Sequence, residues 1–175
     1  MSGIDELFDA DFDAWLGRAG YARSSQAGAT IVADGGGEIR YFLRFDGARW
    51  VLSTAQRAED ETVLAASEEM ADVVRLVIEK VGGDLRGALD LPPIHLPYEV
   101  DDVAPGYEVE VLAGGWARLV ELTGRRSPVT FRHTDIPFDA VGFSWYAQAD
   151  PAELRAAFER PDAEPLFARF VVDSA

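Results

Sequence analysis

The sequence predicts an α+β fold: mainly antiparallel strands in two hairpin sets, packed with one long central helix and shorter helices toward the termini. Three observations carry this prediction. Two stretches, 30–54 and 107–133, alternate apolar and polar residues and are broken by glycine-bearing turns. Between them, from about 60 to 81, apolar residues recur at helical spacing. The chain has 175 residues, 48% hydrophobic and 27% charged, which suits one globular domain over 1–175 with enough apolar material for a core.

In chain order, Phe12, Trp15, Leu16 and Ala19 place an amphipathic helix from about 11 to 19. Strands follow at 30–34, 38–45 and 49–54, joined by Gly35-Gly36-Gly37 and by Asp46-Gly47, where glycine accepts the positive φ of tight turns. A two-residue loop at Asp46-Gly47 pairs Phe45 with Ala48, Leu43 with Trp50 and Tyr41 with Leu52 on one apolar face, but also sets Arg44 opposite Arg49. Like charges across a ladder are unfavourable, so either the loop is longer or a carboxylate or anion lies between the two arginines. The central helix is expected over 60–81, with Val63, Met70, Val74, Val77 and Val81 as its apolar stripe and Gly82 as its stop. Leu91-Pro92-Pro93-Ile94 and Pro97 then enforce an extended connection inside the domain.

Strands at 107–112, 116–122 and 128–133 form the second set, with turns at Gly114-Gly115 and Thr123-Gly124. The stretch 135–148 reads two ways. Pro137 suits the start of a helix, whereas Gly142, Phe143, Trp145 and Tyr146 suit a strand, and the balance leans to helix. Asp150-Pro151-Ala152-Glu153 starts a further helix, with Asp150 as cap and Glu153 placed to reach back to it. Pro161 and Pro165 end that helix, and 166–172 is expected as a last strand.

Sixteen Lys and Arg against 31 Asp and Glu leave a net charge of −15. That field repels nucleic acid and anionic membrane surfaces and favours a basic protein partner. The absence of cysteine excludes disulfides and thiolate chemistry and fits a reducing cytoplasm. The acidic start, with Asp5, Glu6, Asp9, Asp11 and Asp13, is unlike a signal peptide, and no apolar run is long enough to span a bilayer.

Catalytic machinery is not visible in the residues. His95 and His133 are the only histidines, and His133-Thr134-Asp135 is explained as well by a strand end and a turn. Neither a His-Glu-x-x-His helix nor a calcium-loop spacing is present, and the glycine clusters match neither dinucleotide nor phosphate-loop fingerprints. No catalytic, cofactor or metal residues are therefore assigned. Asp101-Asp102 and the Glu108, Glu110 pair keep a two-carboxylate hydrolase open as a rival, although such pairs are expected by chance among 31 acids. A second rival is an anion- or nucleotide-binding module on a strand face bearing Arg40, Arg44 and Arg49.

The order of the pieces adds to this. Gly36-Gly37-Glu38-Ile39-Arg40-Tyr41-Phe42, then Trp50-Val51, Ala65-Ala66-Ser67, Gly82-Gly83, Leu91-Pro92-Pro93-Ile94 with Pro97, and Pro165-Leu166-Phe167 resemble the family of the immunity factor of tuberculosis necrotizing toxin and related polymorphic-toxin immunity proteins. The similarity runs from about 13 to 170 and lies in order and spacing, since each motif alone is a turn or packing element. The 135–148 stretch departs from the more regular helix the family suggests. The resemblance implies an intracellular antidote that binds a cognate toxin domain, in that family an NAD-glycohydrolase, and blocks its active site without turnover; a one-to-one complex of an otherwise monomeric, cytoplasmic protein is the expectation. No interface residue carries over from structural motifs. Local chemistry nominates Asp5, Glu6, Asp9, Asp11 and Asp13 for steering, with the Gly35, Gly36, Gly37 hairpin tip as a wedge. If Phe143, Trp145 or Tyr146 were exposed, they would anchor a partner better than these acids, because aromatics anchor interfaces and exposed charges mainly steer.

Overall fold

The computed structural model describes residues 7–172. The first helix, α1 (Ala10–Arg18), starts where Asp9 accepts the amide of Phe12 at 2.7 Å, and it buries Phe12, Trp15 and Leu16. A strand that alternation does not predict follows, β1 (Tyr21–Gln26). The polar run Arg-Ser-Ser-Gln hides the alternation, because only Tyr21 is buried and β1 lies at the edge of the sheet.

Strands β2 (Ala29–Asp34), β3 (Ile39–Phe45) and β4 (Trp50–Gln56) continue as an antiparallel meander, as expected. The β3–β4 connection is the longer of the two alternatives: Phe45 pairs with Trp50, Leu43 with Leu52 and Tyr41 with Thr54. Asp46 builds it by accepting the amides of Ala48 and Arg49 at 2.9 and 2.7 Å, and Arg44 now lies opposite Val51.

The expected helix over 60–81 is corrected at both ends. Residues 62–67 are a strand, β5 (Thr62–Ser67), paired on one side with β4 and on the other with a strand more than 60 residues later. The helix, α2, is Met70–Ala88 and runs straight through Gly82. Gly82 does not stop it because the glycine serves packing: a Cβ there would lie 2.5 Å from the Phe158 ring.

The second hairpin set comprises β6 (Tyr107–Leu112), β7 (Trp116–Glu121) and β8 (Arg126–Arg132). Pairing of Ala65 with Phe131 and of Ser67 with Val129 fuses both sets into one eight-stranded sheet, in the order β1-β2-β3-β4-β5-β8-β7-β6. The ambiguous stretch contains a short helix, α3 (Phe138–Ser144), and α4 (Pro151–Glu159) starts at Asp150, whose carboxylate accepts the Ala152 amide at 2.8 Å. The expected strand over 166–172 is absent. Residues 168–170 form a 3-10 turn, and only Val171 makes a β-bridge, to Ile94, because Pro92, Pro93 and Pro97 deprive the neighbouring segment of ladder donors.

The four helices share one core with the apolar face of the sheet, from Trp15 and Leu43 through Val77 and Phe131 to Phe158 and Phe167. No helix among the described residues is long and apolar enough to cross a membrane.

Candidate functional site

The proline-bearing connection after α2 is held against the body of the protein by Arg86. This side chain is 1% exposed, and its guanidinium donates to the carbonyls of Pro92, Phe158, Arg160 and Pro161 at 2.6 to 3.2 Å. With the connection fixed, a cavity of about 220 Å³ opens between it, α2 and α3.

The cavity joins two kinds of chemistry. Leu96, Tyr146 and Phe158 are among its apolar walls, and the rim carries Tyr98 and Phe138, large side chains that are 60% and 53% exposed. Charge enters from two elements. Lys80 of α2 donates to Asp139 in the first turn of α3 at 2.6 Å and lies 3.2 Å from its neighbour Glu79. All three are largely shielded, with side-chain exposures of 23%, 10% and 24% for Lys80, Asp139 and Glu79.

Burial works against the Lys80 ammonium, but Glu79 and Asp139 together outweigh it and hold its pKa above the ordinary value. For Glu79 burial is the largest influence and pushes the carboxyl up, Asp139 adds to this, and Lys80 only partly opposes it. Two carboxylates thus share one ammonium beside exposed aromatic rings. Nearby, burial pushes Tyr41 up to about 12.

The residues nominated from the sequence lie elsewhere and are mostly engaged. Asp5 and Glu6 fall outside the described residues. Asp9 caps α1, Asp13 holds Arg23 through two contacts of 2.7 Å, and Asp11 points to solvent from the first turn. Gly35, Gly36 and Gly37 form the β2–β3 turn, with Gly35 donating to the carbonyl of Gly20 at 3.0 Å. That contact is at the C-terminal end of α1, so the hairpin tip and the acidic residues flank opposite ends of one helix.

Arg40 and Arg44 lie on one strand face about the ring of Phe42, at 5.9 and 4.9 Å from its centroid. Arg44 is paired with Glu61, which also accepts from Ser53, and Arg40 donates to the carbonyl of Arg57 at 2.5 Å. Arg49 is not with them; it sits in the β3–β4 turn. Asp101 and Asp102 are exposed on a 3-10 turn, and Glu110 is taken by Arg118 at 2.7 Å. The His133 ring lies 3.2 Å from the carbonyl of Trp116, and His95 is exposed. Among the described residues, no group of three or more His, Asp or Glu is placed to hold a metal ion. Phe143 and Tyr146 are buried, and Trp145 is half-buried, donating to the carbonyl of Asp102 at 3.0 Å. The exposed aromatic of this stretch is Phe138.

Comparison with known proteins places the whole architecture. The sequence profile of Immunity protein 61 matches residues 15–166. The chain belongs to the Immunity protein 61 family. Curated relatives include the Immunity factor for TNT of Mycobacterium tuberculosis (strain ATCC 25618 / H37Rv) and the Immunity factor for TNT homolog of Mycobacterium bovis (strain BCG / Pasteur 1173P2). Each is 23% identical over 172 aligned residues, covering 94% of this chain and 94% of the relative. Among solved structures, Rv3902c from M. tuberculosis shares the fold, with a TM-score of 0.77 at 21% identity over 91% of this chain and 92% of that one.

In this member of the family, nothing local in the sequence singles out the cavity residues Glu79, Lys80, Tyr98, Phe138 and Asp139. Lys80 and Asp139 are 59 residues apart, and no spacing rule links them. The available signals were an adjacent Glu-Lys pair on the central helix and aromatic residues next to prolines at Pro97-Tyr98 and Pro137-Phe138.

Proposed function

We propose that this protein is the antidote to a cognate toxin domain of the NAD-glycohydrolase class, and that it acts by occupying the toxin's active site one to one, without turnover. The observation that carries this reading is the match of an immunity-protein profile over residues 15–166, joined to relatives of nearly equal length named for immunity to TNT. The charge supports it: at −15, the chain accelerates encounter with a more basic partner. Speed matters for an antidote, because free toxin turns over many times before it is captured. The protein acts in the cytoplasm of the producing cell, where the toxin's substrate would otherwise be consumed, and needs no cofactor for occlusion.

Titration decides the matter. The purified protein is added to a candidate NAD-glycohydrolase toxin domain, preferably one encoded next to its gene, while NAD loss is followed. A linear fall in activity to an endpoint near one equivalent is expected. Residual turnover at several equivalents, with no complex on gel filtration, would reject that toxin as the partner.

A further inference from the structure

We propose that the cavity between α2, the proline-bearing connection and α3 is where a cationic side chain of the toxin docks, with Glu79 and Asp139 as its acceptors and Tyr98 and Phe138 as its clamp. This deepens the reading above and rests on it.

The argument begins with charge. Lys80 neutralises one of the two carboxylates, and its short contact is with Asp139, at 2.6 Å against 3.2 Å for Glu79. Glu79 has Lys80 as its one ionic partner among the described residues, so the site holds two carboxyl groups to one ammonium in a largely shielded position. Elsewhere among the described residues the acids are exposed or engaged in caps, turns and pairs. Asp72, the other strongly buried carboxylate, receives both the Ser67 hydroxyl at 2.7 Å and Arg75 at 3.0 Å.

Shape completes the case. Tyr98 and Phe138 are both more than half exposed at the mouth of the same cavity. Aromatic faces beside a carboxylate accept a guanidinium in two ways at once, by stacking and by hydrogen bonding. The volume of about 220 Å³ takes several waters, each with a share of roughly 30 Å³, or one extended side chain that displaces them. The occupant is therefore an arginine of the partner, with lysine as the weaker match because it lacks the planar surface.

The test measures binding of the toxin domain that the protein inhibits in the titration above by surface plasmon resonance for wild type, Glu79→Gln and Phe138→Ala, with thermal unfolding of each. Phe138 is 53% exposed, and thermal unfolding separates a binding defect from a folding defect at the more shielded Glu79. The expected result is a dissociation rate at least tenfold faster for each variant, an association rate changed less than twofold, and no loss of melting temperature. Wild-type kinetics in both variants would overturn the docking site while leaving the antidote reading intact. Absence of binding by wild type itself would overturn both. Replacement of the toxin's arginines one at a time by alanine must then reveal one whose loss is not additive with Glu79→Gln; full additivity at every arginine would also refute the assignment.

Discussion

Gly82 and Phe158 are packed closer than any side chain at position 82 would permit. An added Cβ would meet Cδ1, Cε1 and Cγ of the ring at 2.5 to 2.6 Å, well inside contact distance. The glycine lets α4 lie directly on α2, and the ring that fills the gap also walls the cavity. Gly82→Ala is therefore expected to cost about 1–3 kcal/mol by overpacking, although alanine is the better helix former. Gly83→Ala, where a Cβ meets nothing within 4 Å, should stabilise by up to about 1 kcal/mol. Urea unfolding of the two variants separates the effects, and equal stabilities would refute the packing argument.

Arg86 provides the second prediction. Its guanidinium bonds to four carbonyls and to no carboxylate, and burial pulls its pKa below the ordinary arginine value. Arg86→Met fills much of the volume but leaves those carbonyls of 92, 158, 160 and 161 without their donor. A loss of about 3–5 kcal/mol is expected, the scale for removing one side of a buried charged interaction. Arg86→Lys should recover only part of it, because an ammonium cannot reproduce the planar fork. Denaturant midpoints at constant slope provide the check.

These two contacts mark the limit of what was legible in the sequence. Strands β3, β4 and β6 to β8, and the Asp150 cap, were readable because alternation, turn glycines and capping chemistry are local. Strand β5 was not: Val63 and Met70 fall seven residues apart by coincidence, and Ala65 and Ala66 fit helix and strand equally. What makes 62–67 a strand is its pairing with Phe131 and Val129, a tertiary fact. Gly82 reads as a stop by local rules and is overruled by Phe158, 76 positions away in sequence. The Arg44 and Arg49 conflict was informative, because the unfavourable pairing pointed to the longer loop that Asp46 builds. The acidic start was visible, but its composition did not disclose that Asp9 is a cap and Asp13 a partner of Arg23.

The start of α1 allows capping, pairing and steering to be separated. Asp9→Ala removes the acceptor for the Phe12 amide and is expected to cost about 1 kcal/mol in stability. Asp13 is held below the ordinary carboxylate range chiefly by its hydrogen bond to Arg23. Its contribution is therefore present above pH 3.8 and lost as pH falls through its folded pKa. The pair is partly exposed, so Asp13→Asn should cost no more than about 1 kcal/mol and flatten the acid limb of the stability curve. Asp11→Lys touches neither role. Association with the toxin should slow, most at low salt, with dissociation and melting temperature unchanged; an unaltered association rate would remove the acidic start from the steering surface.

Glu79 yields the prediction that ties stability to function. Its carboxyl faces Lys80 on its own helix, Asp139 of α3, Tyr146 beyond α3 and Tyr41 of β3. Burial raises its folded pKa above the ordinary 4.5, so the folded protein binds this proton more tightly than the unfolded chain. The sign follows directly: the contribution of Glu79 is most favourable below pH 4.5 and is lost as pH rises through the folded pKa. Above pH 4.5 this carboxyl is thus a burden on the fold, eased in part by Lys80. Glu79→Gln should match wild type in stability near pH 4 and exceed it near pH 7, while Lys80 keeps Asp139 as its partner at 2.6 Å. A gain in stability accompanied by faster release of the toxin is the signature of a residue kept for binding. If Glu79→Gln instead destabilised the protein at pH 7, the carboxyl would be a structural partner of Lys80, and the cavity would hold no spare acceptor for a cation.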